Sequence, residues 1–288
     1  MTAVTTSSIP AERVDVHPAR RRLPALPAAL LRRAAVGTAV LGSSLAVLLV
    51  VWALAADAFG MPFLFPGPVD VADALGEAVS DGLLLTAVGA SLARIAAGFA
   101  IGSALGVTLG LGLGLSPVAR GLLSPVITFF RFVPPLAWFA PVLVWFGAGE
   151  SAMVVLIVYT GVFVVALSTL EGTSRIPVDM LRMAGAAGAS WWQRLLWVTL
   201  PATLPSIFAG MRVAVGTSFM TVVSAEMLGA PEGLGVIVNT GMITTRIPDV
   251  FVAILALGLL GLLCDRVFVL LVNTVGRRFR EHADAVVA

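Results

Sequence analysis

The sequence predicts an all-α integral membrane protein of about six transmembrane helices, and three observations carry that reading. Hydrophobic residues fill 59% of the 288 positions and charged residues only 12%, about half the charged share of an ordinary soluble domain. The apolar residues gather into runs long enough to cross a bilayer, which takes ~20 residues as a helix. The few charges are unevenly divided among the segments that join those runs. Lipid as solvent accounts for the deficit, because a charge at the bilayer centre is costly.

Residues 1–33 are rich in Pro, Ala and Arg, with Arg20, Arg21, Arg22, Arg32 and Arg33 ahead of the first apolar run. They are read as a disordered basic tail in the cytosol leading into an uncleaved anchor, since the run that follows is too long for a signal-peptide core. The first span covers 34–56. Its outer loop, 57–81, holds Asp57, Asp70, Asp73, Glu77 and Asp81 and no arginine. The transmembrane domain proper is expected over 82–276. Its spans are 86–115, interrupted by Arg94, then 122–146, containing Arg131 and Pro134-Pro135, then 151–170, 206–228 and 250–275. A cytosolic tail, 277–288, follows.

Six spans place both ends on one side, and the arginines indicate which. With tails and alternate loops in the cytosol, the inside carries the tail arginines together with Arg120, Arg175, Arg182, Arg194, Arg277, Arg278 and Arg280. The outer loops carry only Arg246 against many acids. That asymmetry follows the positive-inside rule, so both termini are expected in the cytosol.

Gly98, Gly102, Gly106, Gly110 and Gly114 recur every four residues along the second span. Such a stripe lets another backbone approach closely, either within the bundle or from a second copy. Glycine weakens a helix that gains nothing from it. Pro134-Pro135 must break or kink the third span. Irregular backbone at membrane depth survives where protein covers it or where it lines a cavity, so this bend is a candidate wall of a pathway.

The interval 171–205 is too polar to span. Pro177 suits a first helical turn, and a short helix is expected from there to Ala187, ended by Gly188. Ser190 with Gln193 forms a capping box for a second short helix containing Trp191, Trp192 and Leu195. From the residues alone, two short helices around a glycine elbow fit a docking device or an interfacial loop anchored by tryptophans.

This interval also carries a resemblance. Ala184, Gly188-Ala189-Ser190 and Val198-Thr199-Leu200-Pro201 resemble the EAA loop of binding-protein-dependent ABC importer permeases. There a glutamate and two alanines precede a glycine four residues beyond the last alanine, and leucine-proline follows after a fixed gap. Ala184, Gly188, Leu200 and Pro201 fit that spacing. Arg182 stands where the glutamate is expected, and Met183 where the first alanine is.

The likeness continues through Gly114-Leu115-Ser116-Pro117, Arg120-Gly121, Arg131 with Pro134-Pro135-Leu136-Ala137-Trp138, Trp145-Phe146-Gly147, Gly149-Glu150 and Ala225-Glu226-Met227-Leu228. It covers roughly 82–277 and is similar to the nitrate, taurine and alkanesulfonate branch, closest to taurine permeases. The resemblance implies a type I importer permease fold in a bacterial plasma membrane. It also implies a second permease copy, two ATPase subunits, an external solute-binding protein and a small anion as solute. Arg182, Met183, Ala184, Gly188, Ala189, Ser190, Leu200 and Pro201 would form the ATPase-coupling loop.

Several classes are set aside by what the chain contains. It has no lysine, which a phosphate-binding P-loop needs, so ATP is expected on partner chains and no cofactor on this one. Cys264 is the single cysteine, and His17 and His282 lie in the tails. No metal-ligand cluster, nucleophile–base pair or nucleic-acid motif is recognisable, and a non-catalytic subunit is expected. An ion-coupled secondary transporter is the alternative. Such carriers often show inverted repeats and central titratable residues, which this sequence lacks. A plain membrane anchor would need neither the glycine stripe nor the kinked span.

Arg94, Arg131, Arg212, Glu226, Asp265 and Arg266 fall inside apolar runs. Asp265 and Arg266 are expected near the cytosolic interface, snorkelling or pairing locally. Arg131 is expected to face the cytosolic cavity. Arg94 and Glu226 lie toward the outside, where they either pair to tie two helices or serve passage and gating.

Overall fold

The computed structural model describes residues 28–147 and 149–287, with side chains described for 42–147 and 149–274. Most of the expected N-terminal tail, with His17, and the side chains of the expected C-terminal tail, with His282, lie outside the described residues. Two units are separable, Met1–Val51 and Trp52–Ala288. The first contributes the start of an apolar helix; the second holds everything that follows.

The elements are α1 (Ala28–Phe59), α2 (Pro68–Ser80), α3 (Leu83–Leu115), α4 (Pro117–Phe132), a 3-10 turn (Pro135–Trp138), α5 (Phe139–Phe146), α6 (Glu150–Ser174), α7 (Val178–Ala186), α8 (Trp191–Gln193), a π-turn (Arg194–Thr199), α9 (Leu200–Gly229), α10 (Leu234–Ile243) and α11 (Ile247–Val287). There is no strand among the described residues. Five stretches are long and apolar enough to span: Gly42–Phe59, Leu83–Leu115, Glu150–Ser174, Trp191–Gly229 and Ile247–Thr274. The pair α4 and α5, bent by 92°, makes a sixth.

Helix α6 is the axis of the second unit, with α3 along one side and α9 along another. All five stripe glycines of α3 face α6. A Cβ on Gly98 would lie 2.6 Å from Ile157, and one on Gly102 would lie 3.0 Å from the Val158 carbonyl. One on Gly106 would fall 2.8 Å from the Val165 Cβ and 2.9 Å from the Val162 carbonyl. Gly110 meets Ala166 and Thr169, and Gly114 meets Thr173. The stripe therefore serves the chain's own bundle. On the α9 side the relation is repeated, with Gly172 against Ser206 and Gly210 against Ser168. Hydroxyls trapped in these seams turn back on their own helices: Thr169 donates to the Val165 carbonyl and Thr203 to the Thr199 carbonyl, each at 2.7 Å. Neither of these buried donors needs water.

The third span breaks where the prolines require it, because neither Pro134 nor Pro135 has an N–H to continue the helix. Tyr159, the chain's single tyrosine, reaches from α6 and donates to the carbonyls of Phe130 and, at 3.3 Å, Val133. It thus adds a donor at the break, where the Phe130 carbonyl otherwise accepts from the Val133 N–H at 3.0 Å. At the other end of α4, Ser116 accepts from the Ala119 N–H at 3.2 Å. Arg120 donates to the carbonyls of Leu113 at 3.3 Å and Gly114 at 3.1 Å, closing the last turn of α3 as a cation at a helix C-terminus should.

Three expectations are corrected. The helix that carries the fifth span does not begin near 206: it is continuous from Trp191 to Gly229. The π-turn lets the Leu200 N–H reach the Leu195 carbonyl, and the chain accommodates Pro201 and Pro205 without stopping, as helices in lipid often do. Second, the segments expected as outer loops contain helices, α2 and α10. With the first turns of α3 and the start of α11, they enclose a core of Val71, Ala74, Ala78, Leu84, Ala87, Leu234, Ile237 and Val250. Third, Asp265 does not pair locally. It accepts from Arg212 of α9 at 2.6 and 2.8 Å, a link between α9 and α11.

Replacing Gly106 with Leu inserts a branched side chain where not even a Cβ fits. Overpacking of this kind costs ~1–3 kcal/mol or more. Membrane abundance and detergent melting temperature are expected to fall steeply for Gly106→Leu and barely for Leu105→Ala, whose side chain is exposed. Equal losses at both positions would remove the stripe as the helix contact.

Candidate functional site

Three places in the second unit carry polar or irregular structure that packing alone does not demand. The first is at the end where α6 begins and α9 finishes. Arg94 of α3 is 2% exposed and makes four hydrogen bonds. Its Nε donates to Glu150 Oε2 at 2.6 Å and its Nη2 to Glu150 Oε1, a bidentate grip. Its Nη1 donates to Glu226 Oε1 and to the Glu232 carbonyl, both at 2.7 Å.

Glu226, whose side chain is fully buried, also accepts from Ser91 Oγ at 2.8 and 3.0 Å and from the Gly235 N–H at 2.9 Å. Ser91 in turn accepts from the Leu234 N–H at 3.0 Å. Two of the free N–H groups at the start of α10 are thus satisfied, and a carboxylate sits where the helix dipole favours it. Gly233 has φ +144°, and any Cβ there would collide with the Glu226 carboxylate. Only glycine lets the chain turn so close to the buried acid.

The second place is the elbow after α6. The Ala189 N–H bonds the Ala184 carbonyl at 3.1 Å, and the Gly188 N–H bonds the Gly185 carbonyl at 3.0 Å. With Gly188 at φ +80°, this is a Schellman termination. It explains the spacing physically: Ala184 is the residue whose carbonyl closes the motif, and Gly188 is the left-handed residue four positions on. Ser190 then caps α8, accepting from the Gln193 N–H at 3.3 Å, while Gln193 accepts from the Ser190 N–H at 2.7 Å. Arg182 pairs with Asp179 at 3.3 Å on the exposed side of α7. Leu200 and Pro201 open α9. Around the elbow Met180, Met183, Trp191, Trp192, Leu196 and Trp197 are exposed, Trp197 by 79% and Met183 by 66%.

The third place is the broken span. Arg131, in the last turn of α4, lines a cleft of about 350 Å³ with Val133, Pro135, Tyr159, Thr160 and Phe163. A second cleft of about 150 Å³ lies between Pro134, Pro135 and Leu136 and the α9 residues Met220, Thr221 and Ser224. A Thr160–Thr221 hydroxyl contact at 2.9 Å links α6 to α9 beside them.

Glu150, Ser91, Gly233 and Tyr159 are the partners that sequence reasoning did not assign. Glu150 follows Gly149 at the mouth of an apolar span, and Tyr159 is the single phenol in one; those were the available signals. Ser91 and Gly233 gave none.

A family model described as "Binding-protein-dependent transport system inner membrane component" matches residues 98–281. The chain belongs to that family. The permease is 36% identical to the taurine transport system permease protein TauC of Escherichia coli K12 over 204 residues, covering 68% of this chain and 74% of that one. It is 34% identical to the bicarbonate transport system permease protein CmpB of Synechococcus elongatus, with 62% and 64% covered. To the nitrate import permease protein NrtB of a Synechocystis species it is 29% identical, with 81% and 87% covered. Its fold matches a chain of the MetNI methionine ABC transporter, solved in inward-facing conformations, with a TM-score of 0.60 at 23% identity over 67% of this chain and 96% of that one. The permease is a multi-pass translocation subunit of an ABC importer with a type I fold.

Removing Glu226 leaves a buried guanidinium and the start of α10 without an acceptor. Breaking a buried pair from one side costs ~3–5 kcal/mol. Glu150 is 60% exposed, and its loss should cost only about 1 kcal/mol, in the range of solvent-screened pairs. Glu226→Ala is expected to lower the melting temperature in detergent far more than Glu150→Ala; the opposite order would show that Arg94 depends on the outer carboxylate.

Proposed function

We propose that this permease carries a small oxyanion across the membrane as one half of a pathway completed by a second copy. Two ATPase subunits drive it from the cytosolic side, and an external solute-binding protein delivers the solute. The chain itself performs no covalent chemistry and binds no cofactor. Taurine, bicarbonate and nitrate, the solutes in the relatives' names, share anionic oxygens and small size, which motivates the substrate class. Arginine asymmetry supports an orientation with both termini and the elbow in the cytosol, which puts the Arg94–Glu226 network at the outer end.

The observation that carries the coupling role is the exposed elbow. Interfacial tryptophans would account for Trp191, Trp192 and Trp197, but not for a capped, left-handed termination that holds Met180 and Met183 outward on a separate short helix. A rigid apolar knob of this kind fits a groove in an ATPase. Because α6 enters the elbow and α8–α9 leaves it, movement there is passed directly to both central helices.

Orientation is checked in a Cys264→Ser background. A cysteine replacing Asp73 should react with an impermeant thiol reagent on intact cells, and one replacing Arg182 should react only after lysis. The reverse pattern would invert the assignment.

Coupling is checked at Gly188, where a Cβ meets nothing within 4 Å. The cost of Gly188→Val is therefore conformational, roughly 1–2 kcal/mol for a left-handed residue, and falls on the elbow rather than on the spans. Normal membrane abundance, weakened co-purification of the ATPase and lost ATP-driven uptake are expected. Gly188→Asn, which tolerates the left-handed region better, should retain more of both. Full uptake by the valine variant would take the elbow out of the mechanism.

A further inference from the structure

Four cations lie within the apolar runs of the sequence, clear of Arg120 and Arg194 near the ends of their helices, and they differ in what answers their charge. Arg94 faces Glu226 and Glu150, and Arg212 faces Asp265. Arg266 directly follows Asp265 on α11. Arg131 differs: like Arg266 it has no ion pair and no side-chain hydrogen bond among the described residues, but no acid adjoins it in sequence, and its guanidinium carbon lies 5.1 Å from the centre of the Phe132 ring.

Its depth makes that solitude costly. The α6 residues of its cleft, Tyr159 to Leu167, lie ~14–26 Å from Glu150 along the helix at 1.5 Å per residue. The hydrocarbon layer is ~30 Å thick, so with Glu150 near one face the cleft extends from the middle of that layer toward its far side. An ionised side chain at that level is expensive and is retained for a function. The end of α4 offers a structural alternative, since cations favour helix C-termini. Yet the Phe130 and Val133 carbonyls there are taken by Tyr159, and Arg131 bonds neither.

The other polar groups in the cleft are also committed. The Tyr159 hydroxyl donates to those carbonyls, and Thr160 engages the Leu156 carbonyl at 3.1 Å and Thr221 at 2.9 Å. The guanidinium is therefore the free donor set in an otherwise apolar cleft of about 350 Å³. At ~30 Å³ per water, that volume holds a small solute with part of its hydration shell. A guanidinium presents two parallel N–H groups that match a carboxylate-, nitrate- or sulfonate-like oxygen pair.

We infer that Arg131 is the oxyanion contact of the translocation cleft, binding the anionic oxygens of the solute through its guanidinium as the solute passes the broken span. The inference rests on the small-oxyanion reading above and adds the residue that recognises the charge. Pro134 and Pro135 are what turn the chain so that the last residues of α4 border the cleft instead of continuing through the bilayer.

The test uses the complete transporter, permease with its ATPase and binding protein, in proteoliposomes, with uptake of labelled taurine, nitrate and bicarbonate measured separately. The single native cysteine permits Arg131→Cys in a Cys264→Ser background. Uptake of the transported anion is expected to fall by about tenfold or more, the worth of a charge-assisted contact. Reaction with the cationic 2-aminoethyl methanethiosulfonate should restore much of it; the neutral methyl reagent and the anionic sulfonatoethyl reagent should not. Arg131→Lys should lose less than Arg131→Gln, and that order decides the matter should the cysteine variant fail to assemble. Full uptake by Arg131→Cys, rescue by the neutral reagent equal to that by the cationic one, or a cysteine that no reagent reaches would each overturn the inference while leaving anion import intact. Wild-type uptake of none of the three anions would overturn the oxyanion reading and the inference together.

Discussion

A guanidinium that is 2% exposed inside a membrane bundle survives only if its charge and its donors are answered by protein, because lipid answers neither. Arg94 meets that condition through two carboxylates and a backbone carbonyl, and each comes from a different part of the chain. Glu150 opens α6, Glu226 lies near the end of α9, and Glu232 precedes α10. Satisfying one side chain therefore brings α3, α6, α9 and α10 to one point. Glu226 cannot be buried without Ser91 and the α10 amides, and α10 cannot approach it without glycine at 233 and 235. The network is a geometric condition on that end of the bundle more than a source of net stability, since desolvation offsets much of the Coulomb attraction.

Below that point the helices are held by a different means. Lipid tails are as apolar as leucine, so helices in a membrane associate through close van der Waals contact rather than through water exclusion. The α3 glycines bring its backbone against α6, and Gly172 and Gly210 do the same between α6 and α9. The broken span has no such seam. It leans on α6 through an aromatic contact, Trp138 against Tyr159, and through the hydroxyl of that tyrosine. A tight trio of helices thus stands beside a bent element that rests on it over clefts, the arrangement a pathway lined by irregular backbone requires. At the end opposite Arg94 the chain leaves the trio as the exposed elbow.

Much of this was legible in residues. Apolar run lengths marked where each span lies, the four-residue glycine period marked α3 as a packed helix, and Pro134-Pro135 marked the break. Gly188 and the Ser190–Gln193 pair marked the elbow with its caps, because cap chemistry is local and depends on residues within a turn of each other. That the helix of the fifth span begins ahead of 206 was hidden by the polarity of 171–205 and by Pro201 and Pro205, and whether a proline interrupts a helix in lipid depends on what surrounds it. Helix α2 was hidden by its acids: Asp70, Asp73 and Glu77 look like a loop until Val71, Ala74 and Ala78 are seen to share a buried face.

The sequence by itself determined what is local or additive: solvent class, span number, the kink, the caps, and the residues whose cost in lipid demanded partners. Tertiary structure alone decided who the partners are. Arg94 chose Glu150 as well as Glu226, Arg212 chose Asp265 across two helices, Tyr159 chose the carbonyls beside the proline pair, and Arg131 was left without a counter-charge. Each choice joins residues tens of positions apart, and spacing carries no record of it. It depends on which helices lie side by side, which follows from the close fit of glycine seams and the need to answer every buried charge at once.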